Sequence, residues 1–510
     1  MPHFLPAQDV TTPGGLLLVL AVLVPFAGVL TGIVFGGRGP QRVAFATLAA
    51  GLAIGIAIAD ALVRSGDAVA YILGGWMPPL GVALRADGLS VVMLLAVAVV
   101  IGGIGVYARA DFGMPPGVRE ARAPFVFWLL LLAVWGSLNL VFVSGDLFTL
   151  YVALELLTFA AVPLVSLDGR TETLRSALRY LLYALLGSVL YLLGAVLLYG
   201  AYGTLDIPLL AARVHPEPAA WAAVALMTSG LLAKTALFPL HLWLPPAHAG
   251  APAAASAVLS GLVIKGSWFL VVRLWLDVFA GVVTLPSAQA LAALGSAAIL
   301  VGNVVALRQT RLKLLIAYST VAQIGYLFLM FPLAAGLAAA GLDSATAVNG
   351  GMLQAISHAT AKAAMFMAAG LVYTTLGHDR VADLRGVASA LPMTVLAFAL
   401  AGASLIGLPP SGGFLAKWLL LSAAITTAQW WWALVMLVGG LLTSAYVFIV
   451  VVSAMAPAHE GWTPKASVPR YQQAAVLALA LCSFLLGAAV LCPVDVMQIG
   501  RTVSWDTVSP

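Results

Sequence analysis

Runs of about 20 apolar residues recur along this chain, and they constrain its fold more than any other feature. A helix of that length crosses the hydrocarbon core of a bilayer, because each residue adds about 1.5 Å to the helix. About 14 such runs can be counted, with centres near residues 25, 53, 98, 134, 156, 188, 230, 265, 298, 322, 362, 405, 441 and 482. We therefore predict an all-α polytopic membrane protein with about 14 transmembrane helices.

Composition excludes the other broad classes. Only 8% of the 510 residues are charged and 62% are hydrophobic, whereas a soluble domain carries about 25% charged residues. Collagen, coiled coils and disordered chains need a short repeat or low hydrophobicity. The net charge of +5 is therefore interpreted through membrane topology, and no nucleic-acid partner is expected.

The basic residues are divided unevenly between the loops. Fifteen lie in or beside the odd-numbered loops: Arg38, Arg42, Arg109, Arg119, Arg122, Arg170, Arg175, Arg179, Arg308, Arg311, Lys313, Arg380, Arg385, Lys465 and Arg470. Five are assigned to the even-numbered loops and the termini: Arg64, Arg85, Arg213, Arg273 and Arg501. Because positive loops stay in the cytoplasm, we expect a multi-pass protein of the cell inner membrane with both termini on the outer, periplasmic side.

The remaining basic residues are lysines inside apolar spans. They are Lys234, Lys265, Lys362 and Lys417, and no arginine is expected among them. An intramembrane lysine costs roughly 2.5–3.5 kcal/mol on insertion scales, so such residues usually have a function. A buried ammonium can lose its proton, whereas a guanidinium effectively cannot. One carboxylate, Glu155, also falls inside a span, so the pattern indicates proton transfer.

Two histidines extend this set of titratable groups. His358 and Lys362 are four residues apart and share one helical face. His248 follows a proline-rich segment, and histidine changes its charge near neutral pH. The predicted proton-translocation residues are, in chain order, Glu155, Lys234, His248, Lys265, His358, Lys362 and Lys417.

Two spans contain prolines that interrupt a helix. The first contains Pro239, Pro245 and Pro246, and the second contains Pro409 and Pro410. Interrupted spans at corresponding positions of two halves are typical of transporters built from inverted repeats. We therefore divide the chain into residues 1–123, with helices 1–3; 124–280, the first repeat; 281–455, the second repeat; and 456–510, the last helix and tail.

Several segments together resemble one membrane-protein family. They are Ser144–Glu155 (SGDLFTLYVALE), Phe238–Pro252 (FPLHLWLPPAHAGAP), Leu312–Tyr326 (LKLLIAYSTVAQIGY), His358–Phe366 (HATAKAAMF) and Gly407–Trp418 (GLPPSGGFLAKW). They resemble the antiporter-like subunits of respiratory complex I and of Mrp cation/proton antiporters, and Gly74–Ser90 (GGWMPPLGVALRADGLS) is most similar to the Mrp D-type subunit.

The resemblance implies a core of 14 helices with two inverted five-helix repeats and broken seventh and twelfth helices. It implies that Glu155 and Lys234 are the paired charges of the fifth and seventh helices. Lys265 is then the connecting lysine of the eighth helix, and Lys417 the terminal lysine of the twelfth. Pro246 departs from the family pattern, which usually has Asp there, so no role can rest on a carboxylate at that position.

The function expected from these features is a proton-conducting subunit of a Mrp-type Na⁺/H⁺ antiporter, with other membrane subunits as its partners. The alternatives are a proton-pumping subunit of a NADH-quinone oxidoreductase or membrane-bound hydrogenase, and the proton-conducting subunit of a bicarbonate-uptake complex. No catalytic centre, cofactor or metal site is expected, because no catalytic or nucleotide-binding motif occurs at a credible place. Cys482 and Cys492 are expected to be buried, inert thiols, with a disulfide between them as the less favoured alternative.

Overall fold

The computed structural model describes residues 11–115, 118, 121–488 and 491–501. Arg119 and the ends of the chain lie outside the described residues, and so does the side chain of Cys492. Fourteen membrane crossings can be traced through the described part, at the places where the apolar runs predict them. They are α1 Leu16–Phe35, α2 Gly39–Ser65, α3 Gly88–Asp111, α4 Arg122–Val143, α5 Leu147–Val165, α6 Thr171–Tyr202, α7a Pro218–Thr235 with α7b Leu244–Gly250, α8 Ala253–Val278, α9 Leu285–Leu307, α10 Leu312–Ala339, α11 Ala345–Leu376, α12a Pro392–Ile406 with α12b Gly412–Thr426, α13 Trp430–Met455 and α14 Arg470–Leu485.

Length and composition explain most of these crossings. In the described residues, eleven helices are long and apolar enough to cross a membrane alone. The other three crossings are the two broken helices, α7 and α12, and the shorter α14. The predicted all-α membrane fold is therefore confirmed, and so are the interruptions of its seventh and twelfth helices.

The break in α7 is closed by neutral groups. The chain leaves α7a through Ala236, whose φ of 57° is left-handed, and the indole nitrogen of Trp243 donates to the carbonyl oxygen of Ala233 at 2.9 Å. Trp243 itself stacks on Tyr180, with 4.2 Å between ring centroids. Pro245 lies in the first turn of α7b, where a missing N–H costs nothing. Protein groups thus satisfy backbone that a bilayer could not.

The two faces of the bundle are distinguished by their connections. One face carries a hairpin of β1 Val69–Ile72 and β2 Ala83–Ala86; we call it the hairpin face. The amide of Thr12 donates to Ala70 O at 3.0 Å, and the amide of Gly88 donates to Ile499 O at 2.9 Å. Both described ends of the chain therefore lie on the hairpin face, as an even number of crossings requires. We call the opposite face, where most loop arginines lie, the basic face.

Helices α4–α8 and α9–α13 run through the bundle in opposite senses. Helix α4 begins on the basic face, and five crossings later the chain begins α9 on the hairpin face. Each set has its broken helix in fourth place, which is the arrangement of two inverted repeats. The domain boundaries drawn from the sequence remain a prediction.

Arg273 corrects one of the expectations from sequence. It was assigned to a loop, but it lies inside α8 with a side chain only 15% exposed. Its guanidinium donates to both carboxylate oxygens of Asp87, at 2.5 and 2.6 Å, and to Asp277 at 3.2 Å. A buried guanidinium requires such partners. Asp87, which supplies two of these contacts, is also the residue that caps the start of α3.

Cys482 is a second correction. It is a free thiol and is exposed on the surface of the bundle, although its span led us to expect a buried side chain. The inward face of α14 is occupied instead by Val476, Leu479 and Ser483, and Cys482 points away from it.

We predict that the Asp87–Arg273 contact stabilises the fold. Removing one partner of a buried ion pair typically costs roughly 3–5 kcal/mol, so Asp87→Ala should lower the thermal unfolding temperature clearly. Asp60→Ala is the matched control, because Asp60 and Arg64 pair at 2.8 Å with side chains 55% and 78% exposed, and exposed pairs contribute little. Equal unfolding temperatures for the two variants would contradict the prediction.

The same contact has an expected pH dependence. Burial by itself raises the pKa of the Asp87 carboxyl, but the charge and hydrogen bonds of Arg273 outweigh burial, so the pKa is lowered. A carboxyl with a lowered pKa stabilises the fold fully above its unfolded value, about 3.9, and this contribution is lost as the pH falls through the folded value.

Candidate functional site

A line of buried polar side chains runs through the centre of the bundle, and it begins at a loose ion pair. The ammonium of Lys234 in α7a lies 3.7 Å from a carboxylate oxygen of Glu155 in α5. That separation is too long for a hydrogen bond. Lys234 donates instead to the hydroxyl of Thr158 at 2.9 Å. The predicted ion pair is therefore formed, but the shortest contact of the Lys234 ammonium is with the neutral hydroxyl of Thr158.

The middle of the line joins α8, α10 and α11. Lys265 donates to the carbonyl oxygen of Ser260, and the hydroxyls of Ser260 and Thr320 are 2.9 Å apart. Thr320 and the ammonium of Lys362 both donate to the carbonyl oxygen of Ile316, at 2.9 and 3.1 Å. Short hydrogen-bonded contacts thus connect Lys265 to Lys362, which lie in different repeats.

The far end of the line lies at the break in α12. Lys417 in α12b donates to the carbonyl oxygens of Leu405 and Ile406, at 2.5 and 3.2 Å. These carbonyls are at the carboxyl end of α12a, where the helix dipole favours a cation. The ammonium also lies 4.3 Å from the ring centroid of Tyr326, a cation–π contact. A titratable cation therefore closes this break, whereas the neutral indole of Trp243 closes the break in α7.

Gln323 connects the middle of the line to its end. It lies one turn beyond Ser319, whose hydroxyl accepts from Lys362, and the two share a face of α10. The side-chain amide of Gln323 donates to the Leu405 oxygen at 3.4 Å, the same oxygen that Lys417 contacts. It also accepts from Gln354 at 3.0 Å.

The two histidines are buried beside this line without hydrogen-bond partners. His248 is 0% exposed and His358 is 1% exposed, and none of their ring nitrogens has a partner among the described residues. The ring of His248 stacks on Phe366 with centroids 4.5 Å apart, and Phe366 lies one turn beyond Lys362 on α11. The structure thus places His248 close to α11, but it brings neither histidine into direct hydrogen bonding with a lysine.

Five of the seven residues predicted from sequence, Glu155 and the four lysines, therefore lie along one line with two gaps, and the two histidines are buried beside it. Between Lys234 and Lys265, the connection is a hydrogen bond of 3.0 Å between the hydroxyls of Thr235 and Ser267. Thr235 follows Lys234 directly, and Ser267 lies two residues beyond Lys265. The other gap is the helical turn between Ser319 and Gln323. We call the whole line the polar axis.

Sequence reasoning missed the neutral members of the polar axis. They are Thr158, Thr235, Ser260, Ser267, Ser319, Thr320, Gln323 and Gln354. The sequence did contain one indication of them. Ser319, Thr320 and Gln323 place three polar side chains within about one turn of an otherwise apolar helix. Their partners lie on other helices, so the sequence could not show which of them meet.

A cavity of about 450 Å³ lies on the basic face at the end of α7b. Its lining includes Asp168, Arg170, Pro246 and Lys313. Arg170 and Lys313 donate to the carbonyl oxygens of Gly250 and Ala251, at 3.3 and 2.8 Å. Burial by itself raises the pKa of the Asp168 carboxyl, but hydrogen bonds from Thr173 and Arg170 outweigh burial, so this pKa is lowered. Asp168 therefore stays ionised and balances the cations around the cavity.

Known proteins share this fold and much of this sequence. Residues 144–443 match the family model described as "NADH:quinone oxidoreductase/Mrp antiporter, TM". The N-type subunit of a NADH-quinone oxidoreductase from Desulforudis audaxviator is 35% identical over 416 residues, covering 81% of this chain and 79% of that protein. The D-type subunit of a Na⁺/H⁺ antiporter from Alkalihalophilus pseudofirmus is 29% identical over 410 residues, covering 79% of this chain and 80% of that protein.

A solved structure agrees with these relatives. A chain in the structure of the Mrp complex from Dietzia sp. DQ12-45-1b superposes with a TM-score of 0.83 and 25% identity, covering 94% of this chain and 95% of that one. The family match spans more than half of the 510 residues, and it includes both broken helices and all seven residues predicted for the site. The chain therefore belongs to the NADH:quinone oxidoreductase/Mrp antiporter transmembrane family.

Proposed function

We propose that the chain is a proton-conducting subunit of a multi-subunit membrane complex and that the polar axis is its proton path. The observation that carries this proposal is the continuous contact line from Lys265 to Lys362 across the two repeats. A protein that used these helices only as a scaffold would gain nothing from four lysines in its core, each costly to bury.

The proton path needs groups that both bind and release a proton. Lys265, Lys362 and Lys417 are held by carbonyl and hydroxyl oxygens, with no carboxylate within ion-pair distance in the described residues. Neutral oxygens stabilise an ammonium less than a carboxylate does, so each of these lysines can give up its proton. Moving one charge then changes the proton affinity of the next lysine, because like charges repel one another at the low effective dielectric of a protein interior.

We propose Mrp-type exchange of Na⁺ for protons as the coupled process. The relative named as a Na⁺/H⁺ antiporter component and the fold of a chain of the Dietzia Mrp complex support it. The second candidate is a proton-pumping membrane subunit of a NADH-quinone oxidoreductase, which the 35% identical N-type relative favours. In either case the partners are other membrane subunits. Proton movement driven by a Na⁺ gradient, in vesicles without a redox substrate, would separate the two.

We further propose that the hairpin face lies on the outer side of the cell inner membrane. The arginines and lysines concentrated on the basic face support this orientation. In a chain whose two native cysteines are replaced, Asp67→Cys should react with an impermeant maleimide from outside the cell. Glu460→Cys, on the opposite face, should react only in inverted vesicles. Both positions are exposed, and the reverse labelling pattern would overturn the orientation.

Lys417 gives the sharpest test of the proton-conducting role, which needs a titratable amine at the break in α12. Arginine would keep the positive charge on the carbonyls of α12a but would not release a proton. Lys417→Arg should therefore slow proton movement at least about tenfold in vesicles containing the complete complex. Lys417→Ala should slow it similarly, and Lys417→Glu should retain part of the activity.

Lys465→Arg is the matched control, because Lys465 is exposed on the basic face and its replacement should leave the rate unchanged. A near-normal rate for Lys417→Arg would show that Lys417 acts as a fixed charge, and the proposed proton path would then have to end elsewhere.

A further inference from the structure

We infer that the hydroxyls of Ser260 and Thr320 form the proton-transfer link between the two inverted repeats. This inference rests on the proposed proton-conducting function. It assigns a route between Lys265 and Lys362, whose side chains do not contact each other directly. Ser260 belongs to α8, the last helix of the first repeat, and Thr320 belongs to α10 in the second.

Local backbone geometry brings Ser260 and Lys265 together. Residues Leu259–Val263 form a π turn inside α8, and such turns occur frequently at functional sites because they displace backbone groups from the regular helix. Ser260 lies within this turn, and its carbonyl oxygen accepts the ammonium of Lys265, five residues further along. The Lys265 ammonium is thereby held on the same residue whose hydroxyl faces the second repeat.

Thr320 is linked to Lys362 through a shared acceptor. Its hydroxyl proton and the ammonium of Lys362 converge on one acceptor, the carbonyl oxygen of Ile316. Lys362 also donates to the hydroxyl of Ser319, the preceding residue. Each end of the hydroxyl pair is therefore next to a lysine ammonium. Ser260, Thr320 and Lys362 are all 0% exposed, so bulk water does not provide a competing route at this point.

The direction of the hydrogen bond between the two hydroxyls follows from counting protons. Thr320 has one hydroxyl proton and donates it to Ile316, so Ser260 is the donor in the 2.9 Å contact to Thr320. For transfer toward the second repeat, the Lys265 ammonium turns from the carbonyl oxygen of Ser260 to the hydroxyl oxygen of the same residue and gives it one proton. The Ser260 hydroxyl proton passes to the Thr320 hydroxyl oxygen, and the Thr320 hydroxyl turns from the carbonyl oxygen of Ile316 to neutral Lys362 and gives it one proton. Both hydroxyls are unchanged afterwards, and one proton has moved from Lys265 to Lys362.

A purely structural role for the pair makes a different prediction. Hydroxyls often hold membrane helices together, and in that case removal of the pair would weaken the fold without a specific effect on proton movement. Isosteric substitutions distinguish these roles, because Thr320→Val keeps the shape of the side chain and Thr320→Ser keeps the hydroxyl.

The test is proton movement in vesicles that contain the complete complex. We expect Ser260→Ala and Thr320→Val each to reduce the rate at least about tenfold, with normal assembly and unfolding temperature. Thr320→Ser should restore at least half of the wild-type rate. The controls are Ser137→Ala and Thr394→Val, which remove buried hydroxyls whose partners, Ala133 and Gln473, lie outside the polar axis.

Two outcomes would overturn the inference. One is a normal rate in the Ser260→Ala, Thr320→Val double variant. The other is a loss of rate in Ser260→Ala and Thr320→Val that is matched by an equal loss of assembly, when Thr320→Ser shows the same two losses. If the double variant is normal while Lys417→Arg is impaired, the link fails and the proposed function stands. If Lys417→Arg is normal as well, the proposed function fails too.

Discussion

The free-energy cost of burying an ammonium in a membrane is the constraint on which the rest of this structure depends. Three of the four intramembrane lysines are 0–7% exposed and Lys417 is half-buried, so each must be stabilised by the protein. Among the described residues, only Lys234 of these four has a carboxylate within 4 Å, and that contact is 3.7 Å long. The other three rely on carbonyl and hydroxyl oxygens, which stabilise the charged form without fixing it.

The broken helices supply part of this stabilisation. A regular helix uses its carbonyl oxygens internally, so carbonyls without an internal partner occur in a bilayer mainly at helix ends and irregular turns. The end of α12a provides two carbonyls for Lys417, and the π turn of α8 presents Ser260 to Lys265. Both irregularities lie where the polar axis needs an oxygen. The departures from regular helix geometry and the buried lysines are therefore two parts of one arrangement.

Much of the fold could be predicted from the sequence, because a 20-residue apolar run has few alternatives to a transmembrane helix. The positions of Pro239 and Pro409 located both breaks, and charge inside apolar spans identified all the lysines of the polar axis. Other features depended on contacts between distant helices. The assignment of Arg273 to a loop is wrong because its charge is neutralised inside the bundle by Asp87, which is 186 residues away in sequence. The outward position of Cys482 and the Ser260–Thr320 contact likewise depend on helix rotation, which weakly patterned, uniformly apolar spans do not specify.

The central claim is that protons pass along the polar axis, and Lys362 tests it most directly because it is fully buried where the two repeats meet. The measurement is proton movement by the complete complex in vesicles carrying Lys362→Ala, compared with Lys465→Ala on the exposed basic face. If the polar axis conducts protons, Lys362→Ala will assemble normally and lose most of its proton movement, while the control will match the wild type. Wild-type proton movement in an assembled Lys362→Ala complex would contradict the claim.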